Sequence, residues 1–385
     1  MKMKHVIRAL AIMLAFVFVC SPVGLAESAM NCTGYALLET IYDGAHNCAV
    51  SPVSLSLALA MASEGAAGET KAQIDGLTGL IKSEKAESLQ TGLRNRGVQI
   101  ANALFAADDL PLREAWLSAI ETTFGSRVFR PGEEGDLDAW VKEQTNGLIE
   151  RAPAAPNEST RLALLNTIAM DMEWDKTFSA DDTKTGRFFA PDGIKYVPFM
   201  AGDFGPDVFY GARDGAVAVC LKYAKSWMSM LLILPAEGSM QAMLKALAEE
   251  GPDWFYGKEE WILDAYPYMG RDIRLKLPKV DFKVSNDLSA PLSQLGLSLA
   301  FTGAADFSGI SEEKISIGGI LQDVSLQIDE KGTKAAAVTE TIYSIGIEPN
   351  RMEPVEVVFD RPFLALIMYD NNLCFAAVVA DPTEH

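Results

Sequence analysis

Histidine is almost missing from this chain, which has only His5, His46 and His385. Enzymes that activate a serine or cysteine nucleophile draw most often on histidine as general base, and histidine is also the commonest metal ligand. A hydrolase triad, a Cys-His dyad or a histidine-rich zinc centre has almost nothing to be built from. No catalytic residue, metal or cofactor is therefore expected. Basic charge is scarce as well: 33 lysines and arginines face 52 aspartates and glutamates, for a formal net charge of −19. Such a surface repels phosphate backbones, which argues against nucleic acid as a partner. There is no Cys-x-x-Cys pair. No apolar run reaches the roughly 20 residues of a membrane-spanning helix, so no membrane association is expected. Nor does any linker, low-complexity tract or repeat divide the 385 residues, and one large domain is expected over 27–385.

What is present begins with a leader. Lys2, Lys4 and Arg8 flank a mostly apolar stretch from Ile7 to Val19, and Pro22, Gly24 and Ala26 follow as a break and a small-residue cleavage site. This reads as a signal peptide over 1–26, cut near Ala26, and places the protein outside the cytoplasm, either extracellular or periplasmic. Four cysteines follow. Cys48, Cys220 and Cys374 lie in apolar strand-like runs, where a free thiol packs as a small hydrophobe. A Cys32–Cys48 bridge stays open in an oxidising compartment.

Along the chain, helical spacing dominates the first third and strand patterns the rest, which predicts an α+β domain. Ser51 and Pro52 form a cap and first-turn proline for a helix that is apolar nearly all round. DLDAWVKEQTNGLIE reads as a capped helix ended at Gly147, and LSAPLSQLGLSLAF as another helix. LALLNTIAMDMEW, SMLLILP, IRLKLPKVDFKV, SLQIDEKG, VEVVFDRPFLALIMYD and LCFAAVVADP read as strands.

Seven segments, taken in order, resemble the serpin family: Asn47–Ile74, Trp140–Ile149, Leu165–Phe178, Leu277–Phe282, Gln327–Thr339, Phe359–Phe363 and Phe375–Pro382. The resemblance implies several helices around three β-sheets, with a long exposed reactive-centre loop at about 330–354. It also implies a function: a suicide-substrate inhibitor whose cleaved loop enters the main sheet and traps a protease as its acyl-enzyme. The partner would be a serine protease held covalently, with a cysteine protease left open, and the inhibitor a monomer that is not an enzyme. The alternative is a non-inhibitory member acting as carrier, chaperone or binding module.

The hinge would be Glu330, Lys331, Gly332, Thr333, Lys334, Ala335, Ala336, Ala337, Val338 and Thr339. In a strand, Thr333, Ala335, Ala337 and Thr339 share one face, and all are small. Lys334, Ala336 and Val338 take the other face, and no proline interrupts before Pro349. Counting from Gly332 as inhibitory members do puts the reactive bond at Gly346–Ile347. Aligning the downstream residues instead puts it at Ile345–Gly346. Either choice offers a small or aliphatic side chain, suited to elastase-like or subtilisin-like proteases. By the same resemblance, Glu330 would pair with Lys279 beside Trp174 at the top of the sheet. Ser51, Ser54 and Asn166 would form a lock under its centre. There Gln322 stands where the animal pattern has a histidine, and it keeps both a donor and an acceptor.

Overall fold

Ser51 ends the first strand and starts the first buried helix. Its backbone is extended at φ −114°, and its hydroxyl accepts a hydrogen bond from the Ser54 N–H. Pro52 then occupies the first helical turn, where no donor is needed. Every residue from Pro52 to Ser63 is buried, so this helix lies inside the molecule. It is one of eight helices in a computed structural model that describes residues 25–79, 83–153, 160–205, 208–213, 215–224, 226–250, 272–333, 354–369 and 372–384.

The helices are α1 (Leu25–Ile41), α2 (Pro52–Glu64), α3 (Gly68–Thr78), α4 (Ser83–Arg94), α5 (Glu114–Phe124), α6 (Glu134–Gln144), α7 (Met240–Glu250) and the short α8 (Ser289–Gln294). Three main sheets stand with them. The first runs β1 (Cys48–Val50), β17 (Asn372–Val379), β16 (Phe363–Tyr369), β10 (Met228–Leu234), β9 (Ala216–Lys222), β8 (Phe209–Arg213). The second runs β15 (Val355–Val358), β11 (Ile273–Pro278), β7 (Gly193–Phe204), β6 (Lys184–Ala190). The third, called the main sheet below, runs β12 (Val280–Asp287), β13 (Gly319–Ile328), β4 (Leu162–Met170), β2 (Val98–Ala106), β3 (Val128–Phe129). A two-residue ladder joins β14 (Gly332–Thr333) to β5 (Met172–Glu173) just beyond the end of β4. The α+β class and the three-sheet plan agree with the sequence reading.

The two faces of the main sheet are both covered. One lies on the large core that contains α2, with Val53, Leu57, Ile100, Leu104, Ile168 and Ile320 fully buried. The other carries α6, whose Leu137, Trp140 and Val141 pack on Ala101, Ala103, Ala163 and Leu165. A strand buried on both sides reads as a continuous apolar run, and LALLNTIAM does so.

Some element boundaries differ from expectation. The helix expected to reach Gly147 starts at Glu134 without a side-chain cap and stops at Gln144, where the Thr145 hydroxyl donates to the Val141 carbonyl at 2.8 Å; Asn146 and Gly147 follow in left-handed conformations at φ 51° and 78°. LSAPLSQLGLSLAF is not one helix: Gly296, at φ 110°, breaks it, and only a 3-10 turn at Leu299–Phe301 resumes. VEVVFDRPFLALIMYD splits into β15 and β16, because Pro362 offers no N–H to a ladder.

Candidate functional site: the seam of the main sheet

β4 and β13 are parallel neighbours, and their pairing covers six rungs, from Ala163–Gly319 to Ile168–Val324. Above that point the two strands part. The chain leaving β13 turns back at Asp329–Lys331, and Gly332 and Thr333 run down into the fork. Gly332 pairs with Glu173 and Thr333 with Met172, both antiparallel, while the Gly332 carbonyl accepts the Asp329 N–H at 3.0 Å. Only glycine fits there, since a Cβ at position 332 would fall 2.0 Å from the Met172 carbonyl oxygen. Thr333 is buried, and its hydroxyl meets the Tyr223 hydroxyl at 2.7 Å.

A clasp surrounds this fork. The Trp174 indole stacks on Tyr223 with centroids 4.7 Å apart, and its Nε1–H donates to the Asp329 carbonyl at 3.0 Å. The Trp174 backbone N–H donates to the Lys331 carbonyl at 2.8 Å. The Glu330 carboxylate accepts from Lys279 Nζ at 2.8 Å and from the Thr183 hydroxyl at 2.8 Å. Burial raises the Glu330 pKa, but the hydrogen bonds from Lys279, its own backbone N–H and Thr183, with the Lys279 charge, more than offset that. The carboxyl is held below its ordinary value. Burial pushes the Tyr223 phenol far up, so it stays neutral as a hydrogen-bonding group.

Lower down, under rung Asn166–Gln322, lies a second cluster. Gln322 Oε1 accepts the Ser51 N–H at 3.0 Å, and its Nε2 donates to the Ser51 carbonyl at 3.1 Å and to Asn166 Oδ1 at 2.5 Å. Asn166 Nδ2 donates to the Ser54 hydroxyl at 2.5 Å and to Asn102 Oδ1. The Ser51 hydroxyl donates to the Cys374 carbonyl at 2.8 Å. One network therefore ties α2, β2, β4, β13 and β17 together with every group neutral. Gln322 uses both its donor and its acceptor, as its chemistry allowed.

The expected residues thus converge in two groups: Trp174, Lys279 and Glu330 at the fork, and Ser51, Ser54, Asn166 and Gln322 at the centre. Sequence reasoning missed Thr183, Tyr223 and Asn102. Asn102 had a signal, being a lone polar residue between Ile100 and Leu104 on an alternating apolar face. Tyr223 and Thr183 had none. Of the hinge, Glu330, Lys331, Gly332 and Thr333 are described. Lys334, Ala335, Ala336, Ala337, Val338 and Thr339 lie outside the described residues, as do Ile345, Gly346 and Ile347. Most of the expected signal peptide lies outside them too; α1 begins at Leu25. Among the described residues no disulfide joins Cys32, Cys48, Cys220 or Cys374, and burial holds the Cys48 thiol up at about 12.

The two neighbouring strands β4 and β13 of the main sheet are thus held by a charged and aromatic clasp at the fork and a neutral cluster below it, with a chain segment turned into the fork. Comparison with known proteins names the family. Residues 28–382 match the family model described as serpin (serine protease inhibitor), and the chain belongs to the serpin family. The plasma serine protease inhibitor of Homo sapiens is 29% identical over 86% of this chain and 84% of its own length. Alpha-1-antiproteinase F of Cavia porcellus is 31% identical over 87% and 85%. Among solved structures, the thermophilic serpin tengpin in its native state superposes with a TM-score of 0.78 at 25% identity, covering 95% of this chain and 96% of that one. Thyroxine-binding globulin in complex with thyroxine shares the fold, with a TM-score of 0.77 at 24% identity over 93% and 99%.

Proposed function

We propose that the protein is a secreted, monomeric suicide-substrate inhibitor of serine proteases, of elastase-like or subtilisin-like preference. The observation that carries this reading is the fork: Gly332 and Thr333 pair antiparallel with β5 on one side, and on the other the Gly332 carbonyl accepts the Asp329 N–H just past the end of β13. Continuing that register one residue at a time would bring Ala335 between Met170 and Leu326, Ala337 between Ile168 and Val324, and Thr339 between Asn166 and Gln322. Small side chains would then face the core at each inward rung, which a new central strand needs.

The chemistry follows from strand addition. The target's nucleophile attacks the carbonyl of Gly346, or of Ile345 in the other register, and the Ile347 or Gly346 amine departs. This leaves an ester between enzyme and loop. Insertion of the freed loop then competes with hydrolysis of that ester. Where insertion is faster, the protease is carried off its water-activating geometry while still attached. The inhibitor supplies bait and a metastable sheet, and its performance depends on a barrier rather than on equilibrium stability. A cysteine protease forming a thioester could be held the same way.

The test is to incubate the protein with pancreatic elastase and analyse the mixture by denaturing gel and mass spectrometry. The expected result is a high-mass adduct and a released C-terminal peptide beginning at Ile347 or Gly346. Cleavage with no adduct under any protease tried, and no gain in thermal stability of the cleaved protein, overturns the reading in favour of a carrier or binding module. The likeness to thyroxine-binding globulin is one of fold, and the small hinge residues favour insertion over that alternative.

A further inference from the structure

One rung above the lock, on the opposite face of the sheet, the seam carries a misfit. Asp323 of β13 stands directly beside Thr167 of β4, and both point away from the lock toward the side covered by α6. The Asp323 side chain is only 4% exposed. Its Oδ2 reaches Lys283 Nζ on β12 at 2.6 Å, whereas Oδ1 is buried with no hydrogen-bond partner. The neighbour across the seam cannot help. The Thr167 hydroxyl gives its one hydrogen to the Ala101 carbonyl on β2 at 3.0 Å, so it has none left for Asp323. A buried carboxylate oxygen without a donor thus shares its rung with a hydroxyl whose hydrogen is already committed, across the two strands that must separate. Lys283, 46% exposed, leans on Asp323 from the far side of β13 and leaves the seam side uncompensated.

We propose that Asp323 is a positioning residue that weakens the β4–β13 seam and so sets how readily the sheet accepts a new strand. This rests on the insertion reading above. An unsatisfied buried carboxylate oxygen raises the free energy of the closed seam. As the strands part, water reaches it and that penalty is relieved, so Asp323 lowers the barrier to opening. The lock at Asn166–Gln322 holds the rung next to it; Asp323 opposes the lock from the other face.

The test measures uptake of a synthetic peptide with the sequence of residues 333–344 by the intact protein, followed on native gels and by the rise in unfolding temperature. Asp323→Asn places an N–H where Thr167 can accept it, and it should slow uptake about 5–30-fold and raise the unfolding temperature of the peptide-free protein. In a Thr167→Val background the same substitution should lose most of that effect, because the acceptor is gone. A general loss of packing would not depend on Thr167. Asp323→Ser serves as a second removal of the carboxylate should the first variant fail to fold. If the wild type takes up peptide and Asp323→Asn and Asp323→Ser do so at the same rate or faster, the role of Asp323 is overturned while the insertion reading stands. If the wild type takes up no peptide, the insertion reading falls, and this inference with it.

Discussion

The two ends of the seam are held by different physics. At the fork the contacts are an ion pair, a stacked aromatic pair and main-chain bonds to a turn, and a piece of the hinge already occupies the opening. At the centre the contacts are amides and hydroxyls, all neutral and all buried. In the proposed mechanism the fork, partly solvated and sensitive to charge, would be the place of entry, and the centre a gate that must lose its network before a strand can pass. A sheet that opens in this way would benefit from that order, because its partly exposed contacts would meet the incoming chain first.

Substitutions can break this contrast, and the largest effect is expected at the threshold itself. Thr333→Arg would force a charge into a site that is 2% exposed. Adduct yield with elastase should fall at least about tenfold, with the loop cleaved as ordinary substrate, read by gel densitometry. Next comes the gate. Asn166→Ala leaves groups of Gln322, Ser54 and Asn102 without partners, and denaturant unfolding should show a loss of about 2–4 kcal/mol with faster peptide uptake.

The clasp should respond to pH where the gate does not. Because the folded-state pKa of Glu330 is depressed, its stabilisation is present above the ordinary glutamate value of 4.5 and is lost as pH falls through the lower folded value. Thermal unfolding of the wild type should therefore weaken in that acid window, and Lys279→Met should flatten that dependence while costing about 1–3 kcal/mol near neutrality. The smallest effect belongs to Tyr223→Phe, which removes one hydroxyl contact to Thr333. It should cost about 1 kcal/mol and loosen the hinge without altering the gate.

Much of this was legible in the sequence, chiefly through the family resemblance. The gate residues Ser51, Ser54, Asn166 and Gln322 came from it, and of them Ser51, a helix cap followed by Pro52, also has a recognisable local pattern. Glu330 and Lys279 were found through the family resemblance too, since a sequence separation of 51 leaves no local trace of the pair. Tyr223 and Thr183 escaped because a tyrosine at a strand end and a threonine in a turn look ordinary until the hinge folds back on them. Asp323 escaped for a related reason: alternation marks it as facing away from Gln322, and nothing local in the sequence says that this face is buried. The broken helix at Gly296 shows a local rule losing to one residue with a positive φ.

The turn at Asp329–Lys331 changes the kinetic problem that strand addition has to solve. Starting a new ladder normally requires a chain end to find its register, at a cost in loop-closure entropy that no hydrogen bond yet offsets. Here the register is already set, because Gly332 is bonded on both sides and Thr333 is seated below it. Growth from this point resembles propagation from an existing nucleus, in which each residue fixed gains its own ladder contacts. Under the proposed function, the delay between cleavage and capture would then be governed by how fast the rungs ahead come apart.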